Sequence, residues 1–144
     1  MGAGAAEGGR SAEVRRLLPA TAEEVFAAWT DPELMARWLS PVGHAEVEVD
    51  LRVGGRFHVT MGAEDRRIEH TGEYLEISSP RRLAFTWASP FTGPEPSVVT
   101  VELRPAEEGT ELLLTHERLP GDQVEPHAGG WGRMLDRLAE EVLT

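Results

Sequence analysis

His116 is the polar residue best placed to do chemistry. In the run Leu112-Leu113-Leu114-Thr115-His116, strand alternation puts its imidazole on the face of Leu112 and Leu114. An imidazole on an apolar face can hold a ligand oxygen or exchange a proton near neutral pH. The plainer reading, a core histidine satisfied by structural partners, carries more weight, because buried polar groups are nearly always hydrogen-bonded. His70, Glu73 and Tyr74 cluster on a second strand. Alternation gives His70 and Tyr74 one face and Glu73 the other, although a bulge near Gly72 would reset the pattern. An inward His70 or Glu73 opposite His116 would form an acid–base pair in apolar surroundings, its pKa values displaced by desolvation. His116, His70 and Glu73 are therefore the candidates for catalysis, and no catalytic motif surrounds them.

Other chemistries are excluded by residue type. Without cysteine there is no disulfide, thiol nucleophile or thiolate metal site. The five histidines, His44, His58, His70, His116 and His127, show no metal-ligand spacing. No nucleophile elbow and no phosphate-cradling loop occurs, and Gly54-Gly55 reads as a turn. No bound cofactor is indicated. All 14 cationic side chains are arginine, so Schiff-base chemistry has no amine. Against 25 acidic residues they leave a net charge of −11, which repels nucleic acid and anionic membranes. No run nears the roughly 20 apolar residues of a membrane helix. The start, MGAGAAEGGR, lacks a signal-peptide pattern. A reducing cytoplasm is the expected location.

These candidates need elements to position them. Residues 1–10 read as a disordered Gly/Ala-rich tail, and residues 11–144 as one domain. A first strand, residues 11–18, stops at Pro19. Thr21 with Glu24 forms a capping-box pattern, and Val25, Phe26 and Trp29 give that helix its apolar face. Pro32 opens a second short helix with the stripe Leu34, Met35, Trp38 and Leu39. From Ala45 to Thr115 the period is two. Six strands follow: Ala45 to Leu51, Phe57 to Met61, Ile68 to Ile77, Leu83 to Trp87, Val99 to Leu103, and Leu112 to His116. Hairpin linkers join them, one at Glu64-Asp65-Arg66 and a longer one over residues 89–96. Trp131, Met134, Leu135, Leu138 and Val142 then mark an amphipathic helix whose start is loosened by Gly129-Gly130.

Several segments carry a resemblance. They are residues 19–29 (PATAEEVFAAW), Asp31-Pro32, Arg37-Trp38, residues 53–57 (VGGRF), residues 72–77 (GEYLEI) leading into residues 80–83 (PRRL), residues 109–112 (GTEL) with Thr115-His116, and Gly130-Trp131. In their order and spacing the chain resembles the activator of 90-kDa heat-shock-protein ATPase homologue-like family, within the SRPBCC or START-like superfamily. The resemblance spans about residues 13–143. It implies an α+β helix-grip fold: a curved antiparallel sheet wrapped around a long C-terminal helix, with two short helices after the first strand.

It also implies an apolar cavity between sheet and helix. By alternation the strand lining should be Phe57, Val59, Met61, Tyr74, Phe85, Trp87, Val99, Leu112, Leu114 and His116, with Trp38 of the second short helix facing them. Leu83 and Val101 share that face, and Trp131, Met134, Leu135 and Leu138 close it from the helix. The same residues are what a solid core requires. The leading expectation is a protein that binds a hydrophobic small molecule. The resemblance offers two alternatives: a module that interacts with a chaperone, and an aromatase/cyclase-like enzyme using a cavity histidine. A homodimer through the outer sheet face or the loops is compatible with the pattern.

Overall fold

The computed structural model describes residues 10–41, 43–62 and 66–143. Most of the expected tail, residues 1–9, and the hairpin residues Glu64 and Asp65 lie outside them. Strand β1 covers Arg10–Leu18, one residue earlier than its alternation suggests. Helices α1 (Ala22–Thr30) and α2 (Pro32–Trp38) follow. Then come β2 (Glu46–Val49), β3 (Arg56–Met61), β4 (Ile68–Ser78), β5 (Arg82–Trp87), β6 (Ser97–Ala106) and β7 (Gly109–Leu119). A 3-10 turn, Gly121–Gln123, leads into helix α3 (Val124–Arg137), which ends in a π-helical turn, Leu138–Val142.

The strands form one curved antiparallel sheet in the order β1-β7-β6-β5-β4-β3-β2. Each of β2 to β7 pairs with its sequence neighbour, and β1 closes against β7. This is the helix-grip arrangement.

Local chemistry fixes the helix starts. The Thr21 side chain accepts from Glu24 N (3.1 Å), and the Glu24 carboxylate accepts from Thr21 N (2.9 Å), so two otherwise orphaned donors are satisfied. Asp31 ends α1 and caps α2, accepting from Glu33 N at 2.9 Å. Pro32 occupies the first turn of α2, where a missing N–H has no cost. The Trp38 indole donates back to Ala28 O (2.9 Å) and locks the two helices together.

Gly72 is imposed by packing. A Cβ there would lie 2.0 Å from Thr86 O and 2.3 Å from Phe57 Cζ. The expected bulge falls later, between Tyr74 and Glu76, and Leu75 is left exposed. Strand β2 is shorter than its alternation suggests. Hydrogen bonds from Arg52 N to Asp50 O and from Gly55 N to Arg52 O turn the chain early, so Leu51 faces solvent.

Helix α3 begins seven residues before Trp131, and Gly129 and Gly130 lie inside it. Tertiary contacts override their poor propensity. Arg16 on β1 pairs with Asp136 at 3.1 Å. Arg137 donates to the carbonyls of Ser40 and Gly43. The π-helical turn, with Leu143 N bonding Leu138 O, keeps Leu138 fully buried.

The apolar side chains of sheet and helices meet in a single core. Each Leu, Val or Phe withdrawn from water there contributes about 1.5–3 kcal/mol.

Candidate functional site

Space between sheet and helix is divided by two indoles. Trp87 on β5 and Trp131 on α3 stand with ring centroids 5.2 Å apart. Behind them Trp29 of α1 stacks on Trp131 (5.8 Å) and meets Trp38 edge-on (4.7 Å). Phe57, Tyr74 and Phe85 complete the cluster. The void left among these rings is about 10 Å³, the scale of a single water. The deep interior is therefore filled by aromatic rings.

In front of the same two indoles lies an open cleft of about 420 Å³. Met61 and Ile68 form its sheet side. Pro41, Phe91 from the loop after β5, and Pro126, Gly130 and Met134 of α3 add to its apolar wall. Its polar groups are His70, Gln123 and His127. A few hundred cubic ångströms of mostly apolar lining with few polar groups is the usual make-up of a small-molecule site.

His116 is part of the scaffold behind this cleft. Trp131 Nε1–H donates to its Nδ1 (3.0 Å), so the proton of the neutral ring sits on Nε2. Nε2–H then donates to Ser97 Oγ (2.7 Å), and Ser97 donates to Trp87 O (2.6 Å). One directed chain thus ties α3 to β7, β6 and β5, holding the Trp131 indole and the Trp87 backbone in place. Burial, with a smaller contribution from His127, pushes the His116 ring down to about 3. Both ring nitrogens are engaged, and none is left for a substrate.

His70 is different. It is 8% exposed, lines the cleft, and lies 4.8 Å from Trp87 between ring centroids, tilted by 34°. Its Nδ1 is buried without a well-formed hydrogen bond. Burial pushes this ring down to about 4, partly opposed by the nearby carbonyls of Val59 and Ile68. Tyr74, two positions beyond Gly72, points into the aromatic cluster, and its hydroxyl has no partner. Burial raises its pKa to about 12. Glu73 does not join them. It pairs across with exposed Arg56, and strand alternation turns its side chain to the outer face. An acid–base pair of Glu73 with His116 is thereby ruled out. Among the described residues no cluster of three or more His, Cys, Asp or Glu is placed to hold a metal.

Residues 19–142 match the family described as Activator of Hsp90 ATPase homolog 1-like protein. The chain belongs to this family. Solved structures of similar proteins agree with its fold. CV1439 from Chromobacterium violaceum is 29% identical, with a TM-score of 0.79 over 92% of this chain and 96% of its own. CalU16 from Micromonospora echinospora is 30% identical, with a TM-score of 0.72 over 90% and 74%. DynU16, a protein of the dynemicin biosynthetic locus, is 26% identical, with a TM-score of 0.78 over 93% of this chain and 47% of its own. No curated protein matches the chain.

Within this Activator of Hsp90 ATPase homolog 1-like domain, the residues expected to line a cavity divide into three groups. Phe57, Val59, Tyr74, Leu83 and Phe85 border the small inner void and not the cleft. Trp87 and Trp131 border both spaces, and Met61 and Met134 border the cleft. Trp38, Val99, Leu112, Leu114, Leu135 and Leu138 are buried and border neither, so they serve as packing. Sequence reasoning missed the loop residue Phe91, Gln123 of the 3-10 turn, and the helix residues Pro126 and His127. Phe91 sits in a Pro/Gly-rich loop with no period to assign it. Placing the helix start at Trp131 left the other three outside any element. Pro126 was an available signal, because proline is accommodated in a first helical turn. Among the described residues no helix is long and apolar enough to cross a membrane.

Proposed function

We propose that this protein binds a hydrophobic small molecule in the cleft beside α3. The observation that carries this reading is an open volume of about 420 Å³ placed against two indoles, of which Trp131 is anchored by the His116 hydrogen-bond chain. Met61 and Met134 give the wall adaptable, polarizable surface. Trp87, Trp131 and Phe91 offer faces for stacking. The volume suits one or two fused rings or a short branched chain. Similarity to DynU16, a protein of the dynemicin biosynthetic locus, supports a small biosynthetic molecule as the ligand. A cyclase-like reaction through His116 finds no support, since that ring has no nitrogen facing the cleft.

The test is a titration with N-phenyl-1-naphthylamine, a neutral probe that fluoresces in apolar surroundings. Wild-type protein should bind it with a micromolar Kd. Gly130→Trp, which adds an indole where a Cβ meets nothing within 4 Å, should abolish binding while leaving the melting temperature within a few degrees. Absence of binding to wild type, or equal binding to the variant, would refute the reading. Native mass spectrometry of protein purified from its own host would then identify the retained molecule.

A further inference from the structure

Helix α3 and the turn before it meet the cleft along one stripe. The cleft-lining residues Gln123, Pro126, His127, Gly130, Trp131 and Met134 advance by alternating steps of three and one, the spacing of a single helix face. Every other member carries a side chain. Gly130 carries none, and it stands inside the stripe, one turn after Pro126 and His127 and one turn before Met134.

Nothing in the fold asks for a glycine there. Gly130 lies in the interior of α3 and has no left-handed φ that would exclude a side chain. Crowding does not exclude one either, because a Cβ would meet nothing within 4 Å. The helix itself prefers alanine. Since Gly130 lines the cleft, the open space over it belongs to the cleft. Gly129 provides the contrast. It shares the helix, but it is exposed, its Cβ would lie 3.6 Å from the Arg133 guanidinium, and it is off the stripe.

The neighbouring side chains turn the bare position into a notch. His127 and Met134 are seven positions apart, about 10 Å along the axis at 1.5 Å per residue. Both side chains take up part of that length, and what remains suits a single ring. We infer that Gly130 determines which ligands the cleft accepts: its bare backbone forms a notch between His127 and Met134 that seats the outer ring of an elongated, multi-ring hydrophobic molecule. This rests on the ligand-binding reading above and assigns the size limit of that site to one residue. A short ligand held against Trp87 and Trp131 does without the notch; a longer one needs it. The glycine is thus kept against the preference of its own helix.

Two probes and three variants test the assignment. Dissociation constants of N-phenyl-1-naphthylamine and of the shorter 1-naphthylamine are measured by equilibrium dialysis for wild type, Gly130→Ala, Gly130→Leu and Gly129→Ala, with melting temperatures alongside. Both alanine variants should melt about 2–4 °C higher, because each removes a helical glycine. Gly130→Ala should weaken the longer probe about fivefold and Gly130→Leu about fiftyfold, the range of overpacking in a formed site. Gly130→Ala should leave the shorter probe unchanged, and Gly129→Ala should match wild type for both. A more stable variant that binds less well is a result that a merely structural glycine does not give. In wild-type protein the bound longer probe should show nuclear Overhauser contacts to the α protons of Gly130 and none to those of Gly129. Several results overturn the role of Gly130 while leaving the cleft a binding site. These are equal loss in the two alanine variants, no loss in either, equal weakening of both probes by Gly130→Ala, a lower melting temperature for Gly130→Ala, absence of the Gly130 contacts, or wild-type binding of the shorter probe alone. Binding of neither probe to wild type overturns both readings.

Discussion

Lowering the pH from 7 to 5 should destabilise this fold by about 4 kcal/mol, and the cause lies in two side chains. Histidine in an unfolded chain titrates near 6.5. In the native protein His116 titrates at about 3 and His70 at about 4, both lowered first by burial. The unfolded state therefore takes up protons that the native state refuses, and stability falls as protons become available. The contribution is fully present above about 6.5. It is lost as pH falls below that value, and the loss stops only once pH has passed below the native values. At pH 7 about a quarter of the unfolded rings are protonated; at pH 5 almost all are, while the native rings stay largely neutral. Each histidine then accounts for about 2 kcal/mol, a large share of the roughly 5–15 kcal/mol that holds a domain together. The lowered carboxyls of Glu24 and Glu76 keep their contribution above the usual carboxylate range and lose it as pH falls through that range toward their lowered native values. Urea unfolding followed by tryptophan fluorescence at pH 7, 6 and 5, at constant ionic strength, measures the effect. His70→Phe should roughly halve the slope. A wild-type stability that stays level between pH 7 and 5 would show that these rings are not held neutral in the core, and the hydrogen-bond roles assigned to His116 would fall as well.

Two further substitutions probe the packing. Tyr74→Phe removes a buried hydroxyl that has no partner and should raise stability by about 1 kcal/mol, seen as a higher urea midpoint with unchanged slope. A lower midpoint would mean that the hydroxyl has a partner in solution. Gly72→Ala drives a Cβ to within 2.0 Å of a backbone oxygen on β5 and should lower stability by about 2 kcal/mol or more. An unchanged melting temperature would contradict the close approach of β3, β4 and β5.

The elements were legible because their signals are local. Thr21 with Glu24, Pro32, and the alternation from Phe57 to Trp87 each specify an element without reference to the rest of the chain. The family match then fixes how those elements assemble. The site was less legible, because alternation reports which side chains turn inward and not whether they meet. Phe57, Phe85, Trp87 and Trp131 all turn inward, but together with Trp29 they fill the deep interior. Only the ends of β3 and β4 and the first turns of α3 leave room. His116 and His70 look alike in sequence, each on the buried face of a strand. They differ through Ser97 and Trp131, which satisfy one and not the other, and these contacts join residues 19 and 15 positions apart. Glu73 was separable from His70 by parity alone once the bulge was located beyond Tyr74.

The glycines of α3 have a consequence for how the cleft is entered. Gly129 and Gly130 are not demanded by crowding: a Cβ at Gly129 would make only ordinary contact with Arg133, and a Cβ at Gly130 would meet nothing within 4 Å. Each nonetheless costs a helix roughly 1 kcal/mol relative to alanine. The stretch before Trp131 is therefore the part of α3 that unravels most cheaply, whereas Trp131 and the turns after it are anchored by His116, Arg16 and the contacts of Arg137. For the ligand proposed above, the wall of the cleft is thus predicted to be pliant at the mouth and stiff at the floor.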